Sequence, residues 1–267
     1  MSYHGETAYI NAVHSMTVFI ADRDLARAEA SASELNAKHG QRVYAVQVDV
    51  ADWNSQVKAF EFAVAKVGHI DYVFAVAGIT ERPWLPPNSQ PTGFQKPDLA
   101  VNEVNGTGVL YAAALALQQF RRQEPNKHGF RGKMIIVGSG CSFYIVPTHP
   151  IYTYAKHAVL GFTRTMGAWL PEEKITLNCI CPNIVRTNIS TGQYYEQAAE
   201  EGLLVSYETV VSAFESLLGA NTTSGEAIEL LPGDQGFRIK ERPEPTNEQV
   251  RRSLELTTER IKLATSS

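Results

Sequence analysis

From residue 17 onward the chain switches between short unbroken apolar runs and stretches of helical periodicity, and few folds accommodate that alternation. TVFIAD, QRVYAVQVDV, DYVFAVAG, KMIIVGSG, KITLNCICP and AIELLPG read as strands. Between the first pair lies a helical stretch ending at Gly40; a second helix starts after the capping Asp52 and closes at Gly68. A long helix is predicted over 99–119 and another over IYTYAKHAVLGFTRTMGAWL, with two further helical stretches before AIELLPG. Strands apolar on both faces call for helices on both sides of a parallel sheet. The expected fold is therefore α/β, a Rossmann-like doubly wound parallel sheet. No linker or repeat interrupts it, so 1–267 reads as one domain, with an atypical segment at 1–16 and an amphipathic C-terminal helix at 247–263.

One stretch carries chemistry. In SGCSFYIVPTHPIYTYAK, Ser139 closes a strand, Tyr152 opens a helix, and Lys156 follows at i+4 on the same helix face. An ammonium beside a phenol is expected to lower the tyrosine pKa from about 10 toward neutrality. Such a tyrosine exchanges a proton with a substrate oxygen near pH 7. A serine at the adjacent strand end can hold the same oxygen, and strand carboxyl ends are where open α/β sheets bind ligands.

These residues give the sequence its resemblance to the classical short-chain dehydrogenase/reductase family, over roughly 17–233. The resemblance implies that Ser139, Tyr152 and Lys156 are catalytic and that Lys156 also binds the nicotinamide ribose. VNEVNGTGVLY resembles the family's proton-relay segment, with Asn105 matching better than Asn102. Among cofactor-binding positions, Asp22 ends the strand whose carboxylate accepts the adenosine ribose hydroxyls. It favours NAD over NADP, while Arg23 leaves NADP open. Asp49 resembles the adenine-contacting aspartate, with an N-terminal cap as its other reading. PNIVRT resembles the loop at the nicotinamide amide, with Val185 and Thr187 as contacts.

The resemblance further implies an NAD(P)-dependent oxidoreductase interconverting a secondary alcohol and a ketone on a small apolar substrate. FYIVP and a lid over 188–208 would supply the apolar walls. A homo-oligomer is implied too, through Leu110, Ala114 and Leu117 on one helix and Val159, Phe162 and Met166 on the other.

The sequence also departs from the family. No glycine-rich phosphate loop precedes Asp22; Gly5 is the one glycine upstream, and could end such a loop with ETAYINAVHSM as the rest of the first helix. AVAG stands where the family has Asn-Asn-Ala-Gly, and Pro182-Asn183 where it has Pro-Gly. A missing central strand forfeits three to five buried side chains at about 1.5–3 kcal/mol each. Three outcomes are open: the strand at 17–22 closes onto the one at DYVFAVAG, the N-terminal segment fills the gap, or the chain is an incomplete form of a longer protein. Two other functions stay in play, a cofactor-free isomerase, dehydratase or cyclase and a non-catalytic oligomer partner.

Composition narrows the partners. A net charge of −4 and 19% charged residues point to no nucleic-acid partner, and the basic run at 121–133 reads as a solvated loop. Three cysteines without CxxC spacing predict no metal, and the alternating Cys179 and Cys181 read as buried thiols. With no signal peptide and no apolar run long enough to span a bilayer, a cytoplasmic protein with no membrane partner is expected.

Overall fold

The computed structural model describes residues 16–85 and 93–265. Local chemistry sets the element ends. Helix α1 (Leu25–His39) is capped by Asp24, which accepts from the Arg27 N–H, and stops at Gly40 with φ of 81°. The Asn36 side chain then bonds Val43 through both its backbone N–H and C=O, which fixes the turn between α1 and its following strand. Helix α2 (Trp53–Val67) starts at Asp52, which accepts from the Ser55 N–H, and ends at Gly68 in the left-handed conformation.

Four strands run parallel in the order β3 (Tyr72–Ala75), β4 (Gly132–Val137), β5 (Ile175–Pro182) and β6 (Ala227–Leu230). A short antiparallel strand, β7 (Phe237–Ile239), adds to β6 and went unread in the sequence. Its three residues are all exposed, so it carries no apolar signal. Successive residues of β4 face opposite ways. Met134 and Ile136 join Leu177, Cys179 and Cys181 under helices α4 (Gly108–Arg121) and α5 (Pro150–Trp169). Ile135 joins Ile180, Ile228 and Leu230 under α7 (Tyr207–Glu215), which follows α6 (Gly192–Glu200). The C-terminal helix α8 spans Glu248–Thr265. No described helix is long and apolar enough to cross a membrane.

Of the three outcomes left open, closure of β1 (Val18–Asp22) onto β3 does not occur. β1 pairs only with β2 (Val43–Gln47), in a separate two-stranded parallel ladder. A cleft of about 790 Å³ lies between β1 and β3, lined by Phe19, Ile20, Val73 and Ala75 among others. No described strand covers that edge of β3, and all four β3 residues are only half-buried where most of β4 and β5 is buried. The readings of Gly5 and, apart from its last residue Met16, of ETAYINAVHSM fall outside the described residues.

The stripes expected to form an oligomer face serve the core at Leu117 and Val159, while Phe162 and Met166 pack against the same cluster. Of the named stripe, Leu110 stays exposed.

Helix α5 lies close on β5 because Gly167 carries no side chain. A Cβ there would stand 2.3 Å from the Gly225 backbone and 2.7 Å from the Leu177 carbonyl oxygen. Gly167→Ala is therefore expected to destabilise by about 1–3 kcal/mol through overpacking, read as a lower urea midpoint. An unchanged midpoint would show that the helix can lift without cost.

Candidate active site

The site gathers at the carboxyl ends of β3 and β4. Ser139 leaves β4 in an extended conformation and enters a single 3₁₀ turn, Gly140–Ser142. Its Oγ accepts from the Cys141 N–H at 3.2 Å, and its own N–H donates to Ser142 Oγ at 3.2 Å.

Tyr152 sits in the first turn of α5, which begins with Pro150 and has no local side-chain cap. The cap comes from elsewhere. Glu81, on the loop after β3, accepts the Tyr152 N–H at 2.7 Å through Oε2. Its Oε1 is buried without a hydrogen-bond partner. A negative charge at a helix N-terminus is favourable. Sequence reading missed Glu81, since a lone glutamate in a proline-rich loop has no period to mark it.

Lys156 is buried, and its Nζ donates to the Val137 carbonyl at 2.8 Å. It lies 5.5 Å from the centroid of the Tyr152 ring rather than on the hydroxyl. The expected drop of the Tyr152 pKa toward neutrality is therefore corrected. Burial pushes the phenol up to about 12, and the hydrogen bond with Ser139 opposes this without overcoming it. Burial likewise pushes the Lys156 ammonium down. Desolvation of both groups outweighs their mutual proximity.

The long helix predicted over 99–119 is interrupted. Between α3 (Ala100–Asn102) and α4 runs a π-helical turn, Glu103–Thr107, and Asn105 lies within it. Asn105 is wholly buried; its Oδ1 accepts the Ile79 N–H at 2.9 Å and its Nδ2 donates to the Ile79 carbonyl at 2.8 Å. The wider turn turns the amide inward onto the β3 loop. At Gly78 a Cβ would lie 3.2 Å from Asn105 Oδ1 and 3.9 Å from Lys156 Nζ. Asn105 and Lys156 thus flank the same point of backbone, the glycine of AVAG.

The cleft between the two sheets reaches this point. Asp22, Asp49, Gly78, Ile79, Asn188 and Ile189 all line it. Asp22 Oδ1 accepts the Asp24 N–H and Asp49 Oδ1 the Ala51 N–H, both at 2.9 Å, so each carboxylate also closes its own turn. Val185 and Thr187 do not line the cleft. Val185 packs on the opposite apolar cluster, and Thr187 Oγ1 lies 3.1 Å from the Tyr195 hydroxyl. Their neighbours Asn188 and Ile189 take the cleft-lining positions. One continuous cleft with carboxylates near β1 and β2 and a glycine beside Lys156 fits the two ends of a dinucleotide. The glycine-rich phosphate loop that the family resemblance calls for does not precede Asp22 in the sequence, and residues 1–15 lie outside the described residues.

Comparison with known proteins gives a consistent picture. The family model for short chain dehydrogenases matches residues 6–198. The short-chain dehydrogenase/reductase prx7 of Penicillium rubens is 27% identical over 217 residues, covering 79% of this chain and 74% of that protein. (+)-Borneol dehydrogenase 1 of Salvia officinalis is 28% identical over 191 residues, covering 72% and 68%. Among solved structures, the 3-ketoacyl-(acyl-carrier-protein) reductase of Brucella melitensis complexed with NADH superposes with a TM-score of 0.71 at 23% identity, covering 87% of this chain and 93% of that one.

Two measurements check the site as built. In the fold the Tyr152 phenol, pushed up to about 12, stays protonated where an unfolded tyrosine, near 10, ionises. Its contribution to stability is full below pH 10 and is lost as pH rises toward 12. Urea unfolding at pH 9 and pH 11 should show a larger loss for the wild type than for Tyr152→Phe, and equal losses would contradict the buried phenol. Glu81→Ala should lower unfolding free energy by about 1 kcal/mol through the lost cap, with Glu81→Gln losing less.

Proposed function

The chain belongs to the short chain dehydrogenase family, and within it we propose an NAD(P)-dependent oxidoreductase that interconverts a secondary alcohol and a ketone on a small apolar molecule. The observation that carries this reading is that Lys156 and Asn105 flank Gly78, which lines the cleft, while Tyr152 stands beside both Lys156 and Ser139.

Each residue has a distinct part. Tyr152 is the general acid/base: its neutral phenol donates the proton to a carbonyl oxygen and, in reverse, recovers it from the alcohol. Ser139, hydrogen-bonded to that phenol, holds the same oxygen and so fixes the direction of transfer. Lys156, anchored on Val137, places positive charge beside the ring and favours the phenolate once the proton has left. Asn105 locks the backbone at Ile79, beside Lys156 at Gly78, and the resemblance assigns its segment the proton relay. A nicotinamide cofactor, when bound, supplies or accepts the hydride. Asp22 and Asp49 would hold its adenosine half, and Gly78, Asn188 and Ile189, with Lys156 beside Gly78, the other end. A carboxylate at Asp22 repels a 2′-phosphate, which favours NAD.

Exposed Ile145 and Tyr194 support an apolar substrate, as does the likeness to a dehydrogenase of borneol, itself an apolar secondary alcohol. Helix α6 within 188–208 would form the lid, with its buried Tyr195 as the anchor.

The test is turnover of borneol and other apolar secondary alcohols with NAD⁺ and NADP⁺, followed by cofactor absorbance. Tyr152→Phe is expected to lower kcat by about 10²–10⁴-fold. In parallel, NADH at a hundred times its Kd should add about 2.7 kcal/mol and raise the melting midpoint by several degrees. No turnover together with an unshifted melt would overturn the reading.

A further inference from the structure

Glu229 lies on β6, paired across the sheet with Cys181 of β5 and Arg238 of β7, and is 2% exposed. A carboxylate at that depth keeps its charge only when donors reach its oxygens. The Tyr144 hydroxyl donates to Oε1 at 2.8 Å. Arg238 and Lys240 donate to Oε2 at 3.2 and 3.3 Å. Lys240 Nζ also donates to the Tyr144 oxygen at 2.6 Å and lies over the Phe143 and Tyr144 rings. Burial pushes the Glu229 carboxyl up, yet the bonds from Tyr144, Arg238 and Lys240 together hold it below its ordinary value.

None of these groups takes part in the proton chemistry above. Tyr144, however, ends the turn that Ser139 begins. Within it the Ser142 N–H donates to the Ser139 carbonyl at 2.8 Å, and the Phe143 and Tyr144 N–H groups to the Gly140 carbonyl at 3.0 and 2.9 Å. Beyond it the chain runs outward, with Ile145 81% exposed. Phe143 packs against the core, which sets the depth of the turn. Apolar packing is non-directional, whereas a hydrogen bond to a buried carboxylate has a required line.

We propose that Tyr144, clasped between Glu229 and Lys240, is a positioning residue that orients the Ser139 turn so that the Ser139 hydroxyl meets the substrate oxygen. Its effect on turnover rests on the role proposed above for Ser139.

Cys141 allows a test that needs no substrate. It sits in the turn with its N–H on Ser139 Oγ, and is half-buried where Cys179 and Cys181 are buried. Its rate of reaction with the disulfide reagent DTNB, assigned with Cys141→Ser, reports the order of the turn. Tyr144→Phe keeps the ring and removes one hydroxyl. It is expected to raise the Cys141 rate by about 10-fold while leaving the circular dichroism unchanged. Lys240→Met, at a part-exposed position, removes the other side of the clasp and should accelerate the reaction as well. Glu229→Gln keeps an acceptor for the hydroxyl and should stay within about 2-fold of wild type.

On any alcohol that is turned over, Tyr144→Phe should lower kcat by about 10-fold with the cofactor KM unchanged. Wild-type Cys141 rates in both Tyr144→Phe and Lys240→Met would overturn the proposal. So would equal acceleration by Glu229→Gln. Because thiol rates do not depend on turnover, either result stands apart from the fate of the dehydrogenase reading.

Discussion

The arrangement of the site depends on one buried amide. Asn105 has no access to water, so each of its polar atoms must find a partner or cost about 1–3 kcal/mol. Both find it on Ile79. That requirement explains why the helix tolerates a π turn, an uncommon and locally unfavourable geometry. It also transmits position. Two residues beyond Ile79, Glu81 caps the helix carrying Tyr152. A four-residue segment, Gly78 to Glu81, therefore joins the helix of Asn105 to the helix of Tyr152, and neither can shift without the other.

Electrostatics inside the site run against simple proximity. A lysine one turn from a tyrosine suggests a shared proton and a lowered phenol pKa. The structure places both groups where loss of water dominates, and Lys156 satisfies its charge on a backbone carbonyl. Burial raises the phenol and lowers the ammonium, so neither shift is the one that their spacing suggests. In the proposed reaction, charge appears at the phenol only as a proton moves, in surroundings with little water to screen it.

Much of this was legible in the sequence, for identifiable reasons. Asp52 and Gly68 declared a helix because capping chemistry is local. Ser139, Tyr152 and Lys156 declared a site because a strand end and one helix turn fix their relative placement. What escaped lacks local causes. Glu81 acts across 71 residues of chain. The π turn answers a buried contact rather than a propensity. The exposed Phe237–Ile239 strand has no burial pattern to show. Which residues of the loop after β5 line the cleft, Asn188 and Ile189, could not be read either, because a loop after a strand has no period from which its facing can be read.

The split between the β1–β2 ladder and the five-stranded sheet carries a thermodynamic consequence. The Gln56 amide bonds the carbonyls of Val50 and Gly108, which lie on opposite sides of the divide. Few other described polar contacts cross it so directly, so the two parts need not open with equal cost. Asp22 belongs to one and Gly78 to the other. A molecule touching both works as a splint: its affinity and the cohesion of the two parts become a single quantity, and a substitution that loosens the seam weakens binding without touching any atom that binds.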